Sequence, residues 1–136
     1  MHIRDLTSLD IEAAAVLWHS AGLTRPWNSP TADLQRALGG STSTVLGTFD
    51  GARLVGTVMV GHDGHRGWVY YLAVDDSERG RGLGRNMMTA AEHWLREQGA
   101  VKLQLMIRST NDAVLGFYDH IGYEDADVQV RSKWLE

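Results

Sequence analysis

The chain has 136 residues and a formal net charge of −4, room for one domain and too little for two of ordinary size. Apolar residues make up 43% and charged residues 22%, the balance of a folded globular protein and not of a disordered one. The acidic balance argues against nucleic-acid binding through a basic surface. The absence of cysteine excludes disulfides, zinc–thiolate sites and a cysteine nucleophile. The opening "MHIRDLTSLD" lacks the apolar core of a signal peptide. The longest apolar run, "LVGTVMVG", is too short to span a bilayer. The expectation is a soluble, cytoplasmic protein with no membrane, nucleic-acid or metal partner.

Ile3 to Leu6 reads as a short opening strand. Thr7 and Asp10 have the spacing of a capping box ahead of "IEAAAVLWHSAG". There Ile11, Ala14, Ala15 and Trp18 share one helical face, and Gly22 is placed to end the helix. "LTRPWNSP" is a loop, because both prolines fall in it. A second short helix is expected from about Thr31 to Leu38. "STVLGTF" and "RLVGTVMVG" flank Asp50-Gly51, a hairpin signal. Asp63-Gly64 then separates the latter run from "WVYYLAV", which completes a three-stranded meander.

The next stretch, "DDSERGRGLGRNMM", places Gly80, Gly82 and Gly84 on alternate positions with Arg79, Arg81 and Arg85 among them. Leu83, Met87, Ala91, Trp94 and Leu95 continue as a helical stripe, with Gly99 as its C-cap. "VKLQLMI" alternates as a strand, "NDAVLGFYDHIG" reads as a helix closed by Gly122, and "DVQVRSKWL" reads as a last strand. The order β-α-α-β-β-β-α-β-α-β implies an α/β (α+β) domain with one mixed sheet and helices on both faces.

The glycine–arginine stretch joins a strand to a helix. A helix start offers unpaired N–H groups and a positive dipole end. Glycines let backbone approach a ligand and tolerate positive φ, and arginines add bidentate phosphate contacts. Together they make a pyrophosphate cradle. The dinucleotide fingerprint G-x-G-x-x-G fails, because Arg85 stands where its third glycine belongs. A Walker A loop fails for want of a Gly-Lys pair. "GGSTS" begins like the hydrolase elbow G-x-S-x-G but ends in Ser43. What remains is Arg79-x-x-Gly82-x-Gly84.

That motif, following a strand that ends "LAV", resembles the signature of the GNAT acyl-CoA N-acyltransferases. "YYLAVDDSERGRGLGRNMM" aligns with the family's main cofactor motif without a gap, and "NDAVLGFYDHIGYE" looks like its following motif. More locally, "LTRPWN" and "GHDGHRG" resemble small bacterial acetyltransferases of the YpeA type. The resemblance covers the whole chain, residues 1–136, as a single domain. It implies a mostly antiparallel sheet of six or seven strands, splayed after the fourth, with about four helices.

The resemblance also implies roles. Arg79, Gly80, Arg81, Gly82, Leu83, Gly84 and Arg85 would hold the pyrophosphate of acetyl-CoA, the acyl-donor cosubstrate. Leu72, Ala73 and Val74 would pair with its pantetheine arm, and the Val74 N–H would donate to the thioester oxygen as an oxyanion hole. Asn111 would contact the cofactor arm, although an Asn there also caps a helix. Tyr118 would protonate the departing thiolate, although it also falls on an apolar stripe with Val114 and Ile121.

The implied reaction is direct attack of a primary amine, from a small molecule or a protein amino group, on the thioester. An ammonium must first lose a proton, and many family members place a glutamate on the strand before the loop. "WVYYLAV" has no carboxylate, so Tyr70, Tyr71, His62, His65 and Asp63 are the groups left to hold a water, unless "HDGH" is only a solvated turn. Trp27, Asn28 and Tyr71 are the candidate acceptor contacts, and Glu124, Asp125 and Asp127 could attract a cation. The protein is expected as a monomer or homodimer, with Trp134 at an interface or closing the core. Two other readings stand beside the enzyme: a catalytically silent acyl-CoA-binding module, and a different nucleotide binder using the same loop.

Overall fold

A computed structural model describes all of residues 1–136. The chain divides into two compact units, Met1–Met106 and Ile107–Glu136. The first holds a five-stranded sheet in the order β1-β2-β3-β4-β5. Its strands are β1 (His2–Asp5), β2 (Ser43–Asp50), β3 (Arg53–His62), β4 (Gly67–Val74) and β5 (Leu103–Gln104). Its helices are α1 (Ile11–Ser20), α2 (Pro30–Gly39) and α3 (Leu83–Glu97), and the second unit holds α4 (Asp112–His120). No helix is long and apolar enough to cross a membrane.

Local chemistry accounts for most of these boundaries. Thr7 and Asp10 form the reciprocal capping box, which closes a single 3-10 turn that runs directly into α1. Gly22 takes φ +74° after α1, and the Leu23 N–H returns to the Trp18 carbonyl at 3.0 Å. Ser29 caps α2, and Pro30 occupies its first position. Gly51 supplies the positive φ of the β2–β3 turn, and Gly64 that of the β3–β4 turn. Asp63 builds the latter turn by accepting the N–H groups of His65 at 2.8 Å and Arg66 at 2.7 Å.

The β1–β2, β2–β3 and β3–β4 pairs are antiparallel, and β4–β5 is parallel. Helices lie on both faces of this sheet. Leu6, Ala14, Leu17, Trp18, Leu34, Ala37, Val45, Phe49 and Ala73 cluster on the α1/α2 face. On the other face α3 buries Leu83, Met87, Met88, Ala91 and Leu95, and a side chain at Gly67 would meet Leu95 at 2.5 Å. Backbone of β4 therefore passes directly beneath the helix.

A bulge interrupts β4. Thr57 pairs with Ala73 and Met59 with Tyr70, so Tyr71 and Leu72 together oppose Val58. Tyr71 takes φ +53°, a left-handed conformation that a bulky residue adopts only when its surroundings impose it. Three contacts do so. Its ring stacks on Trp18 with centroids 3.7 Å apart and planes within 2°. Its carbonyl accepts from the Thr57 hydroxyl at 3.0 Å. That same hydroxyl oxygen accepts the Trp18 indole N–H at 2.8 Å. Trp18 and Thr57 are both fully buried.

Beyond the bulge the sheet opens. β4 and β5 pair only at Gly67–Leu103 and Trp68–Gln104, which leaves residues 70–74 without a ladder partner on that side. The splay after the fourth strand is thus present, but the strand count is five and not six or seven. "VKLQLMI" contributes only Leu103 and Gln104 to the ladder. "DVQVRSKWL" forms no strand: Val128, Val130, Trp134 and Leu135 are all exposed. Alternation prepares one apolar face, but a strand exists only where another edge completes its hydrogen bonds and that face finds cover. Trp134 accordingly does not close the core.

Replacing Thr57 by valine keeps its volume and removes the hydroxyl that joins Trp18 to Tyr71. The indole N–H then loses its buried acceptor, and unfolding in urea should show a loss of about 1–3 kcal/mol. An unchanged midpoint would mean that this bridge does not hold the bulge.

Candidate functional site

The open edge of β4 carries the first group of expected residues. Asp75 donates its N–H to the Val55 carbonyl at 2.8 Å, and Val74 stands opposite Gly56. In an antiparallel ladder this makes Val74–Gly56 a non-hydrogen-bonded pair. The Val74 N–H therefore points away from β3, toward the edge that β5 leaves free. Leu72 and Val74 are half-buried and Ala73 is buried. Ala73 belongs to the core, and the backbone of these three residues has no ladder partner on the β5 side.

The glycine loop follows at once. Asp75 caps a 3-10 turn over Asp76–Glu78 through the Ser77 N–H at 2.9 Å. Bonds from the Ser77 hydroxyl and N–H, with Arg53 beyond them, hold the Asp75 carboxyl below its usual range. Gly80 (φ +81°) and Gly82 (φ +77°) supply two left-handed residues, and space beside both is open. Gly84 instead lies inside α3, where its φ is ordinary. Gly82 caps α3 with no side-chain bond, so the N–H groups of Leu83, Gly84 and Arg85 are left to an external acceptor. Two positive-φ glycines, open space and an uncapped helix start are what an anionic pyrophosphate requires.

The loop's arginines are positioned by acids that sequence reading passed over. Glu78 is buried, yet it accepts from Arg53 at 2.9 Å and from Arg81 at 2.6 Å. A carboxylate out of water needs such partners. It pins the loop to β3 and raises the pKa of the Arg81 guanidinium. The Arg79 Nε donates to Asp76 at 2.7 Å, which leaves its two terminal nitrogens outward. Only the i, i+3 spacing of Glu78 and Arg81 hinted at this in the sequence.

Asn111 and Tyr118 belong to the second unit. Asn111 Oδ1 accepts the Val114 N–H at 3.3 Å, so the oxygen caps α4. Tyr118 is buried, packs edge-on against Phe117 and Tyr123, and is pushed up by burial to about 12. It is thus a phenol that keeps its proton at neutral pH.

The remaining candidates separate. Asp63 accepts from His65, Arg66 and, at 3.1 Å, the Trp68 indole. The Arg66 and His65 amides in particular bring it down to about 2, which makes it a poor proton acceptor and the "HDGH" segment a solvated turn. His65 lies exposed in that turn, and His62 is half-buried at the end of β3. Tyr70 is largely exposed, and burial of the rest of the ring raises its pKa. Trp27 is 57% exposed and so does not cover the core. Asn28 beside it donates its N–H to the Arg25 carbonyl at 3.1 Å.

Tyr71 stands apart from these. Its hydroxyl donates to Asp33 Oδ2 on α2 at 2.7 Å. Burial, reinforced by that bond, pushes it up to about 12. Asp33 is 38 positions away in sequence, and nothing in the spacing marks it.

The model of the acetyltransferase (GNAT) family matches residues 12–123. The chain belongs to this family. Solved structures agree on the fold. AAC(6')-Iy, in complex with the bisubstrate analogue CoA-S-monomethyl-acetylneamine, superposes with a TM-score of 0.84 at 14% identity, covering 98% of this chain and 97% of that one. The aminoglycoside 6'-N-acetyltransferase AAC(6')-IG from Acinetobacter haemolyticus gives 0.80 at 14% identity over 100% of both chains. A transcriptional regulator from Bacillus halodurans C-125 gives 0.83 at 18%, covering 98% and 99%.

The two high phenol values can be checked directly. Absorbance at 295 nm through an alkaline titration should show two of the four tyrosines ionising near pH 12. Each of Tyr71→Phe and Tyr118→Phe should remove one of them. Both titrating near pH 10 would contradict the burial described here.

Proposed function

We propose that the chain is an acetyl-CoA-dependent N-acetyltransferase that moves an acetyl group directly to a primary amine. One observation carries the reading. The free edge of β4 at Leu72–Val74 leads through the 3-10 turn and the glycine loop to the uncapped start of α3, so a strand-like arm and a pyrophosphate would find their partners on neighbouring stretches of one chain. The residues present fit the cosubstrate, which when bound supplies the activated acetyl group. The family match crosses the boundary between the two units, which supports reading residues 1–136 as one GNAT domain.

Roles follow for this chain's own groups. The amides of Leu83, Gly84 and Arg85 and the loop glycines Gly80 and Gly82 receive the pyrophosphate, and the outward nitrogens of Arg79, Arg81 and Arg85 add charge-assisted bonds. Leu72 and Ala73 flank the arm. The Val74 N–H donates to the thioester carbonyl oxygen, where negative charge builds during attack. Asn111 has its Nδ2 free for the cofactor arm while Oδ1 caps α4. Tyr118, protonated at neutral pH, gives its proton to the departing thiolate. Trp27 and Asn28 are read as acceptor contacts from their loop.

A second reading keeps one point in its favour. No carboxylate stands on β4 to take the proton from an incoming ammonium, so the chain could bind acyl-CoA as a sensor without turnover. AAC(6')-Iy binds a CoA-bearing bisubstrate analogue on the same fold, whereas another protein of this fold is a transcriptional regulator.

Thermal unfolding with acetyl-CoA, CoA, NAD and ATP tests the cradle, and thiol release with a panel of amines tests transfer. Acetyl-CoA and CoA alone should raise the midpoint, by about 2.7 kcal/mol of stabilisation at 100-fold over the dissociation constant. Tyr118→Phe should then lower kcat by about a hundredfold with acetyl-CoA affinity unchanged. An equal shift with ATP would sink the cofactor assignment. A shift with CoA and no transfer to any amine would favour the sensor.

A further inference from the structure

Asp33 is a carboxylate for which the described roles leave no use. It lies on α2, and its side chain is 21% exposed. The Tyr71 hydroxyl donates to its Oδ2 at 2.7 Å, and its Oδ1 pairs with Arg36 one turn later. The two bonds differ in kind. Arg36 is 71% exposed, and an ion pair with so solvated a side chain is worth little. Tyr71 is fixed by its stack on buried Trp18 and by the Thr57 bond to its own carbonyl. Asp33 is therefore held on one side by a rigid phenol and covered on the other by a cation that leaves easily.

The backbone at Tyr71 adds a second observation. The left-handed φ of +53° carries a cost that glycine at this bulge position would avoid. The position keeps a tyrosine, and its hydroxyl reaches the carboxylate. Strain of this kind collects at ligand-binding sites. A carboxylate has about four lone-pair sites, and two are occupied here. An ammonium that displaces Arg36 exchanges a weak surface pair for a charge-assisted bond to a partner already oriented.

We propose that Asp33 docks a cationic amino group of the acceptor, and that Tyr71 is the residue that positions it. This rests on the acetyltransferase reading above and narrows it. The Tyr71 ring leaves β4 toward α1 and α2, whereas the Val74 N–H lies in the plane of the sheet. Their backbones are three residues apart across the bulge, a span below the roughly 10 Å of regular strand, and the Tyr71 side chain adds its own length at right angles to it. A single nitrogen cannot serve both places. The acceptor therefore carries at least two amino groups, one held at Asp33 and one presented at the edge near Val74.

The test compares 1,6-diaminohexane with 1-aminohexane, which has one nitrogen, by thiol release from acetyl-CoA. The wild type should show the lower KM for the diamine. Asp33→Asn should raise that KM by about tenfold or more, toward the monoamine's value, with kcat and the KM for acetyl-CoA little changed. Tyr71→Phe should move the same ratio by less, and it serves if the Asp33 variant fails to fold. Equal KM values for the two amines in the wild type would overturn the proposal, as would a ratio that neither variant alters. If the wild type acetylates neither amine, calorimetric titration of 1,6-diaminohexane into CoA-loaded protein decides separately. Binding that Asp33→Asn abolishes would keep the dock while transfer falls, and no binding would remove the dock.

Discussion

The hydrogen bond from the Trp18 indole to the Thr57 hydroxyl, passed on to the Tyr71 carbonyl, holds the geometry on which the rest depends. It joins α1, β3 and β4 through atoms buried from water, where an unmade bond costs more than a made one returns. With the stacked ring of Tyr71 it makes an otherwise unfavourable backbone conformation the lowest available one. The extra residue accommodated there shifts the alternation of β4. One consequence is that the Val74 N–H faces an open edge. The other is that a phenol stands over α2 beside Asp33.

The loop beyond β4 works by a different physics. Its glycines allow the turn, but Glu78 fixes where the turn sits. Bonded to Arg53 through one oxygen and to Arg81 through the other, this buried carboxylate ties the loop to a central strand and holds two cations on one anion. Arg79 pairs with Asp76 at the surface, where both side chains are exposed, so that bond is the weaker one. The Glu78 bonds give Arg53 and Arg81 defined directions and offset part of the loop's positive charge; on the proposed function, that order would precede binding of the pyrophosphate. Preorganisation of this kind reduces the ordering cost of binding.

The fold tolerates wide sequence change, and on the proposed function so would the cradle, because backbone amides and glycine conformations would supply its contacts. An acceptor side would depend on side chains, and β4 offers Trp68, Tyr70 and Tyr71 but no carboxylate. Asp33 enters that region from a helix. Its contact with β4 is the Tyr71 hydroxyl, which donates to its Oδ2.

Local sequence was enough for the Thr7–Asp10 capping box, the glycine turns at 51 and 64, the three-stranded meander they join, the Arg79–Gly82–Gly84 motif and the family that motif belongs to. Each depends on neighbours within a few residues, so spacing and residue type carry the information. It overreached where a feature needed a distant partner. "DVQVRSKWL" has the alternation of a strand and forms none, because alternation does not supply an edge to pair with. Asp33 and Tyr71, Glu78 and Arg53, and Trp18 and Thr57 are far apart in the chain, and only tertiary folding brought each pair together. The bulge at Tyr71 belongs to the same class: no glycine marks it, since packing and buried hydrogen bonds, not local preference, set that φ.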